Sequence, residues 1–139
     1  MKITNLLGAG AIFLAAAACT TNPITGRSSI QFANNAEIEA MALQQYRQTL
    51  SQSKVISGSQ ANSVKNVGNR IKNAAEKYYA GIGRSADLAG YQWEFNLIQD
   101  NQVNAWCMPG GKVAVYTGIL PITKNDTGLA VVMGHEVSH

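Results

Sequence analysis

The spacing of apolar residues changes partway along the chain, and this change constrains the fold more than any other feature. Two stretches, 35–52 and 59–79, carry apolar side chains at helical spacing, with polar residues on the opposite side. From Tyr91 onward apolar residues occur at every second position, so that Tyr91, Trp93 and Phe95 alternate with polar residues. The sequence therefore predicts two helices followed by β-structure.

The β-structure is predicted to be a small sheet. Segments 91–97, 103–108 and 112–118 have strand-like composition, and a Pro-Gly-Gly turn at 109–111 separates the last two. Because such short connections favour hairpins, we expect a largely antiparallel sheet.

A final helix is predicted to begin near Asp126. Pro121 marks a break before it, and polar residues at 124–127 supply a cap. The run from Leu129 to Met133 is apolar, so we expect the start of this helix to be buried and its end to reach a site. The order of elements predicts an α+β fold.

Residues 135–139 read HEVSH, a pattern that on a helix is typical of a metal site. Side chains four apart share one helix face, so His135 and His139 can offer two imidazoles to one Zn²⁺ ion. Glu136 lies about 100° further round the helix. It is therefore aimed beside the ion, where a general base can take a proton from an attacking water.

The alternative is a buried helix in which the two histidines occur by chance. Two observations favour the metal site. His135 and His139 are the only histidines of the chain, so no background of histidines generates the pattern. The residues before them are small and apolar, as a buried active-site helix requires.

Composition argues against two classes of protein. With 46% hydrophobic and 14% charged residues, the chain is typical of a globular domain and not of a disordered one. The net charge is +3, but the basic residues are scattered and no aromatic stacking platform accompanies them. We therefore expect no nucleic-acid partner.

Residues 1–18 are predicted to be a lipoprotein signal peptide. Lys2 precedes an apolar run that is shorter than the roughly 20 residues of a membrane-spanning helix. Cys19 follows small residues directly, which is similar to the acylated cysteine of bacterial lipoproteins, although Ala16 stands where leucine is usual. Plain secretion and an uncleaved anchor are the alternatives.

Residues 19–34 are interpreted as a lipid-anchored tether. Thr20 after the cysteine, by the usual sorting pattern of diderm bacteria, predicts an outer-membrane lipoprotein facing the periplasm. Lipidation of Cys19 leaves Cys107 without a partner in the chain, and we expect Cys107 to be buried. Pairing outside the chain is the alternative, and a disulfide between the two cysteines becomes possible if lipidation is wrong.

Two segments resemble a known family of zinc metallopeptidases: VNAWCMPGGKVAVYTGIL at 103–120 and GLAVVMGHEVSH at 128–139. The family includes the heat-shock peptidase HtpX, the mitochondrial quality-control peptidase Oma and the CAAX prenyl proteases. The tether and lipoprotein signal are similar to those of its soluble, periplasmic lipoprotein branch. The resemblance implies a zincin-like (minigluzincin) fold with two N-terminal helices, a small sheet and the active-site helix.

The resemblance also implies roles for individual residues. His135 and His139 would be zinc ligands, and Glu136 the general base. The motif residues Asn104, Ala105, Gly110 and Gly111 would contribute to substrate binding. In zinc peptidases of this build the substrate lies along an edge strand, and either 104–108 or 112–116 could be that edge. The alternative is that Trp106, Val113 and Val115 are simply core, and that Gly110 and Gly111 only make the turn.

The third zinc ligand of the family is a glutamate on a later helix, which the 139 residues do not contain. We therefore expect residues 35–139 to be the N-terminal part of a truncated metallopeptidase domain, inactive alone, with a natural stop as the alternative. The favoured function is a zinc endopeptidase of the bacterial envelope that acts on unfolded or misassembled envelope proteins. A non-catalytic lipoprotein that binds such clients, and a metal-binding module without peptidase activity, are the alternatives.

Overall fold

The computed structural model describes residues 18–21, 28–31 and 34–139, in two separate compact units. The first unit contains a pair of antiparallel strands, β1 (Ala18–Thr21) and β2 (Ser28–Gln31), in which Cys19 stands opposite Ile30. Apart from Ala18, the last residue of the predicted signal peptide, the pair lies in the segment interpreted as a tether, for which the sequence predicted no strand. The apolar run of the predicted signal peptide, up to residue 17, and the turn signals at 22–27 lie outside the described residues.

The second unit begins with the two predicted helices. Helix α1 (Asn35–Ser51) starts where the Asn34 side chain accepts a hydrogen bond of 2.9 Å from the Glu37 backbone N–H. Helix α2 (Ser59–Gly81) ends just before Gly83, which adopts φ +72°. This left-handed conformation suits glycine and stops the helix. Both predicted helices are confirmed, with bounds that differ by two residues at most.

A four-stranded sheet follows, with the order β3-β4-β6-β5. Its strands are β3 (Val55–Ile56), β4 (Glu94–Ile98), β5 (Ala105–Met108) and β6 (Lys112–Tyr116). The β5–β6 pairing is antiparallel, as expected, and so is the pairing of the unpredicted β3 with β4, but β4 and β6 are parallel. After β4 the chain first forms β5 at the border of the sheet. The hairpin turn then brings the chain back, so that β6 lies between β4 and β5.

The sheet has helices on both faces. Alternate residues of β4 and β6, including Phe95, Leu97, Val113 and Val115, face α2 and the last helix in the main core. The other set packs against α1, where Tyr46 is fully buried beside Ile98 and Ala114. The layers are therefore α1, sheet, and a second helical layer, which is a mixed α+β arrangement.

The final helix, α4 (Asp126–Ser138), begins as predicted at a polar cap, where the Asn125 side chain accepts a 3.0 Å hydrogen bond from Gly128 N–H. Pro121 does not simply break the chain, because it lies in the first turn of a short helix, α3 (Leu120–Thr123). Lys124, at φ +65°, separates α3 from α4. Among the residues that the structure describes, no helix combines the length and apolar character that a membrane span requires.

Candidate metal centre

Helix α4 places the HEVSH residues at the end of the core. Leu129 and Met133 are buried against α2 and the sheet, which holds the first half of the helix in place. The helix also packs on β5, the strand at one border of the sheet. The last turn, with His135 and His139 exposed and Glu136 half-buried, therefore emerges beside that strand.

The two histidines converge on a common point. Their Nε2 atoms lie 2.8 Å apart, and the rings meet edge to face with centroids 4.4 Å apart. Two nitrogens bound to one tetrahedral zinc lie about 3.3 Å apart, given zinc–nitrogen bonds of about 2.0–2.1 Å. Small rotations of exposed rings cover that difference, so the donor pair fits a shared ion. Within the described part of the chain, no third His, Cys, Asp or Glu joins them to form a three-ligand cluster.

Glu136 is half-buried, whereas the two imidazoles are exposed. Burial, aided by the negative charge of Glu136, raises the pKa of the Cys107 thiol to about 12. The thiol is free and half-buried, so the expectation of a buried cysteine is met only in part.

The strand order decides which strand can be the substrate edge. β6 has neighbours on both sides, whereas β5 has only β6 among the described residues. Of the two candidates from the sequence, 104–108 is therefore the open edge and 112–116 is not. Val113 and Val115 are fully buried, as the core interpretation expected, while Trp106 is half-buried against the α1 layer.

Asn104 and Ala105 lie at the start of this edge. The Asn104 side chain is exposed, and its backbone carbonyl accepts a 3.1 Å hydrogen bond from Tyr116 N–H. Ala105 is buried and stands opposite Val115 in the ladder. Asn104 is thus held in place by its backbone while its amide side chain stays accessible, and its role in substrate binding stays a prediction.

Gly110 and Gly111 form the turn between β5 and β6, at φ +86° and φ +77°. Their carbonyls accept hydrogen bonds of 3.2 and 3.0 Å from the backbone N–H groups of Gln92 and Glu94. A Cβ on Gly111 would come within 2.7 Å of the Trp93 ring. These contacts give both glycines a structural role at the far end of β5; a role in substrate binding stays a prediction.

Sequence reasoning missed a polar cluster on the opposite face of the sheet. The Glu94 carboxylate binds Arg47 at 2.7 Å and lies 3.6 Å from the ammonium of Lys112, which is buried and donates to the Gln92 carbonyl. The Asn96 amide donates to Glu94 and, at 3.1 Å, to the Tyr46 hydroxyl. Charged residues within largely apolar strands are the feature of the sequence that points to this cluster. Which of them pair depends on the parallel register of β4 and β6.

Known proteins match the C-terminal half of the chain. The model of "Peptidase family M48" matches residues 65–139, which is more than half of the sequence. The chain is 38% identical over 69 residues to "Mitochondrial metalloendopeptidase OMA1" of Arabidopsis thaliana, covering 50% of this chain and 14% of the relative. It is 30% identical over 77 residues to "Metalloprotease YcaL" of Escherichia coli, covering 52% and 30%.

A third relative matches a shorter segment of the chain. The chain is 36% identical over 47 residues to "Beta-barrel assembly-enhancing protease" of Yersinia pestis, covering 34% of this chain and 10% of the relative. The matched segments therefore span less than a third of the length of each of these three relatives.

Proposed function

The chain belongs to peptidase family M48, and on that premise we propose that it forms part of a zinc-dependent metalloendopeptidase with a zincin-like fold. The family membership bears out the resemblance seen in the sequence at the level of the family. The matched relatives carry the names metalloendopeptidase, metalloprotease and protease, which supports hydrolysis of peptide bonds.

One observation carries the proposal. The Nε2 atoms of His135 and His139 converge to 2.8 Å at the end of α4, with Glu136 on the adjacent side of the same turn. Neutral imidazole nitrogens suit zinc, and catalytic zinc sites use three protein ligands with one open position. We propose that a glutamate from a segment outside the 139 residues supplies the third ligand.

The roles of the residues follow from their chemistry. Zinc, when bound, would polarise the scissile carbonyl and lower the pKa of the attacking water, so that the water can give up a proton near neutral pH. His135 and His139 hold the ion. Glu136 accepts the proton of the attacking water and returns it to the leaving amine, as a general base and then a general acid. The β5 edge holds the peptide extended by backbone hydrogen bonds, with the Asn104 amide beside it.

The proposed setting is the bacterial envelope. Acylation of Cys19 would tether the protein to the outer membrane, facing the periplasm, and unfolded or misassembled envelope proteins would be its substrates. The lipoprotein-like sequence before Cys19 supports the anchor. The name of the Yersinia pestis relative refers to β-barrel assembly, which is consistent with such substrates.

The direct test is cleavage of casein by a protein that contains residues 19–139 and the natural sequence that follows them. We expect cleavage that a zinc chelator abolishes and that added zinc restores. Cleavage that survives complete zinc removal, or a fully zinc-loaded protein that cleaves no unfolded substrate, would show that the proposed function is wrong.

A further inference from the structure

The edge strand β5 is held between two helices. Cys107 packs against the main core, which includes residues of α4, while Trp106 packs with Tyr46 of α1 on the other face. On the proposed function, substrate pairs with this strand next to Glu136. A contact that fixes Trp106 on the α1 side therefore helps to hold β5, the strand on which the substrate would be placed beside α4.

Tyr46 of α1 is in contact with Trp106. The two rings meet edge to face, with centroids 5.7 Å apart and planes at 83°. The indole N–H of Trp106 donates to the Tyr116 hydroxyl at 3.2 Å, which ties the same side chain to the end of β6. Aromatic pairs in this geometry are directional, so the orientation of the Tyr46 ring bears on the orientation of Trp106.

The Tyr46 ring is itself fixed by its hydroxyl. Tyr46 is fully buried, and the hydroxyl donates a 2.7 Å hydrogen bond to the Val113 carbonyl of β6 while it accepts one of 3.1 Å from the Asn96 amide of β4. Burial raises the pKa of Tyr46 to about 12, so the phenol keeps its donor proton well above neutral pH. A buried hydroxyl with two partners holds one orientation, because any rotation leaves polar groups unpaired.

We infer that Tyr46 is a positioning residue for catalysis, which sets the place of the substrate edge strand through its hydroxyl bonds to β4 and β6 and its ring contact with Trp106. The inference rests on the proposed function only in so far as β5 binds substrate. An apolar contact alone could hold α1 on the sheet, since hydrophobic packing is not directional. The hydrogen bonds of the hydroxyl are directional, so they fix the distance of the ring from the sheet and its rotation.

The first test uses Tyr46→Phe in the 139-residue chain and needs no activity. This change keeps the ring but removes the hydroxyl's bonds to the Val113 carbonyl and the Asn96 amide, which keeps its bond to Glu94. We expect amide hydrogen exchange at 105–108 to become about tenfold faster, with smaller changes in α2 and β4. Tyr79→Phe, in a half-buried tyrosine of α2 away from β5, is the control and should leave 105–108 unchanged. Equal acceleration in all elements, or none at 105–108, would overturn the inference.

A double-mutant cycle tests whether Tyr46 affects β5 through its contact with the Trp106 indole. If Tyr46 acts through Trp106, the effect of Tyr46→Phe on exchange at 105–108 should shrink by more than half in a Trp106→Phe background, because coupled residues are not additive. Additive effects would mean that Tyr46 does not act through this contact.

The last test is kinetic and uses the zinc-loaded protein of the casein experiment. Tyr46→Phe should raise KM for an extended peptide about three- to tenfold while kcat and zinc content stay near wild type, because binding along the strand is weakened and the reacting groups are untouched. A fall in melting temperature with KM unchanged would indicate a purely structural role. If no variant cleaves peptide, the proposed function fails, and the exchange results still decide whether Tyr46 positions β5.

Discussion

Glu94 stands opposite Lys112 in the parallel ladder of β4 and β6, and its carboxylate also binds Arg47 of α1 at 2.7 Å. The carboxylate therefore joins two strands to a helix. Partial burial alone would raise the pKa of Glu94, but the hydrogen bond and charge of Arg47, with the Asn96 amide and the charge of Lys112, lower it overall.

Replacing this carboxylate should destabilise the fold in a pH-dependent way. Glu94→Gln leaves buried Lys112 without its carboxylate, and we expect the free energy of unfolding at pH 7 to fall by about 1–3 kcal/mol. Because the folded-state pKa is lowered, this stabilisation is complete above the ordinary pKa of about 4.5 and is lost as the pH falls through the lowered value. Urea unfolding from pH 7 to pH 3 should show the two proteins converging below about pH 4.5.

The matched control is Asp87→Asn, which removes an exposed ion pair with Arg84. Surface pairs contribute little, so its effect should stay within about 0.5 kcal/mol at either pH. If the difference in free energy of unfolding between Glu94→Gln and wild type persisted unchanged at pH 3, the stabilising role of the Glu94 charge would be contradicted.

Gly68 allows α2 to approach the sheet closely. A Cβ at this position would lie 2.4 Å from the ring of Phe95, which is itself buried. Gly68→Ala should therefore lower the free energy of unfolding by about 1–3 kcal/mol through overpacking, despite the better helix propensity of alanine. Gly81→Ala, where a Cβ meets nothing within 4 Å, should be neutral or stabilising by up to about 1 kcal/mol. Equal effects of the two changes in chemical denaturation would refute the contact argument.

Much of this fold follows from local sequence patterns. The helices and the hairpin turn were predicted because periodicity, caps and the Pro-Gly-Gly turn act within a few residues of each other. The parallel pairing of Glu94 with Lys112 was not predicted, because it joins strands with another strand between them in sequence. The two-residue β3 is too short to show a period at all.

The same distinction holds at the candidate site. The spacing of His135 and His139 depends only on helix geometry, so the sequence alone predicts that they share a face. The position of the HEVSH turn beside β5 depends on the packing of α4 on that strand, and the choice of β5 as the open edge depends on the strand order. Such relationships come from tertiary packing, which no local pattern encodes.

His139→Ala should abolish tight zinc binding in a protein that extends beyond the 139 residues. The change removes one of two converging imidazole nitrogens, and a catalytic zinc site with two remaining protein ligands is weak. Metal analysis after gel filtration should give near one zinc per wild-type molecule and close to none for the variant. Val131→Ala, at an exposed position of the same helix, is the control and should keep its zinc. Full zinc retention by His139→Ala would rule out the ligand assignment.

Cys19→Ala tests the proposed anchor. Without the thiol no acyl chain can be attached, so the protein should move from the membrane fraction to the soluble fraction of a diderm bacterium. Cys107→Ala should leave the distribution unchanged, because this half-buried cysteine is not proposed to carry lipid. An unchanged membrane fraction of the Cys19 variant in fractionation with labelled fatty acid would show that lipidation is not the anchor.

Glu136→Gln should remove catalysis and leave the fold and the zinc in place. Glutamine has the size of glutamate and keeps a hydrogen-bonding amide, but it cannot accept the proton of an attacking water. Because Glu136 is half-buried and is not one of the two proposed zinc ligands, we expect zinc content and melting temperature near wild type. The rate of casein cleavage should fall by about 10²–10⁴-fold, the usual effect of losing a general base.

The 139-residue chain itself should cleave nothing in either form, because two histidines are its only proposed zinc ligands. Undiminished cleavage by Glu136→Gln would exclude Glu136 as the base, and zinc-dependent cleavage by the 139-residue chain would show that its own residues complete the site.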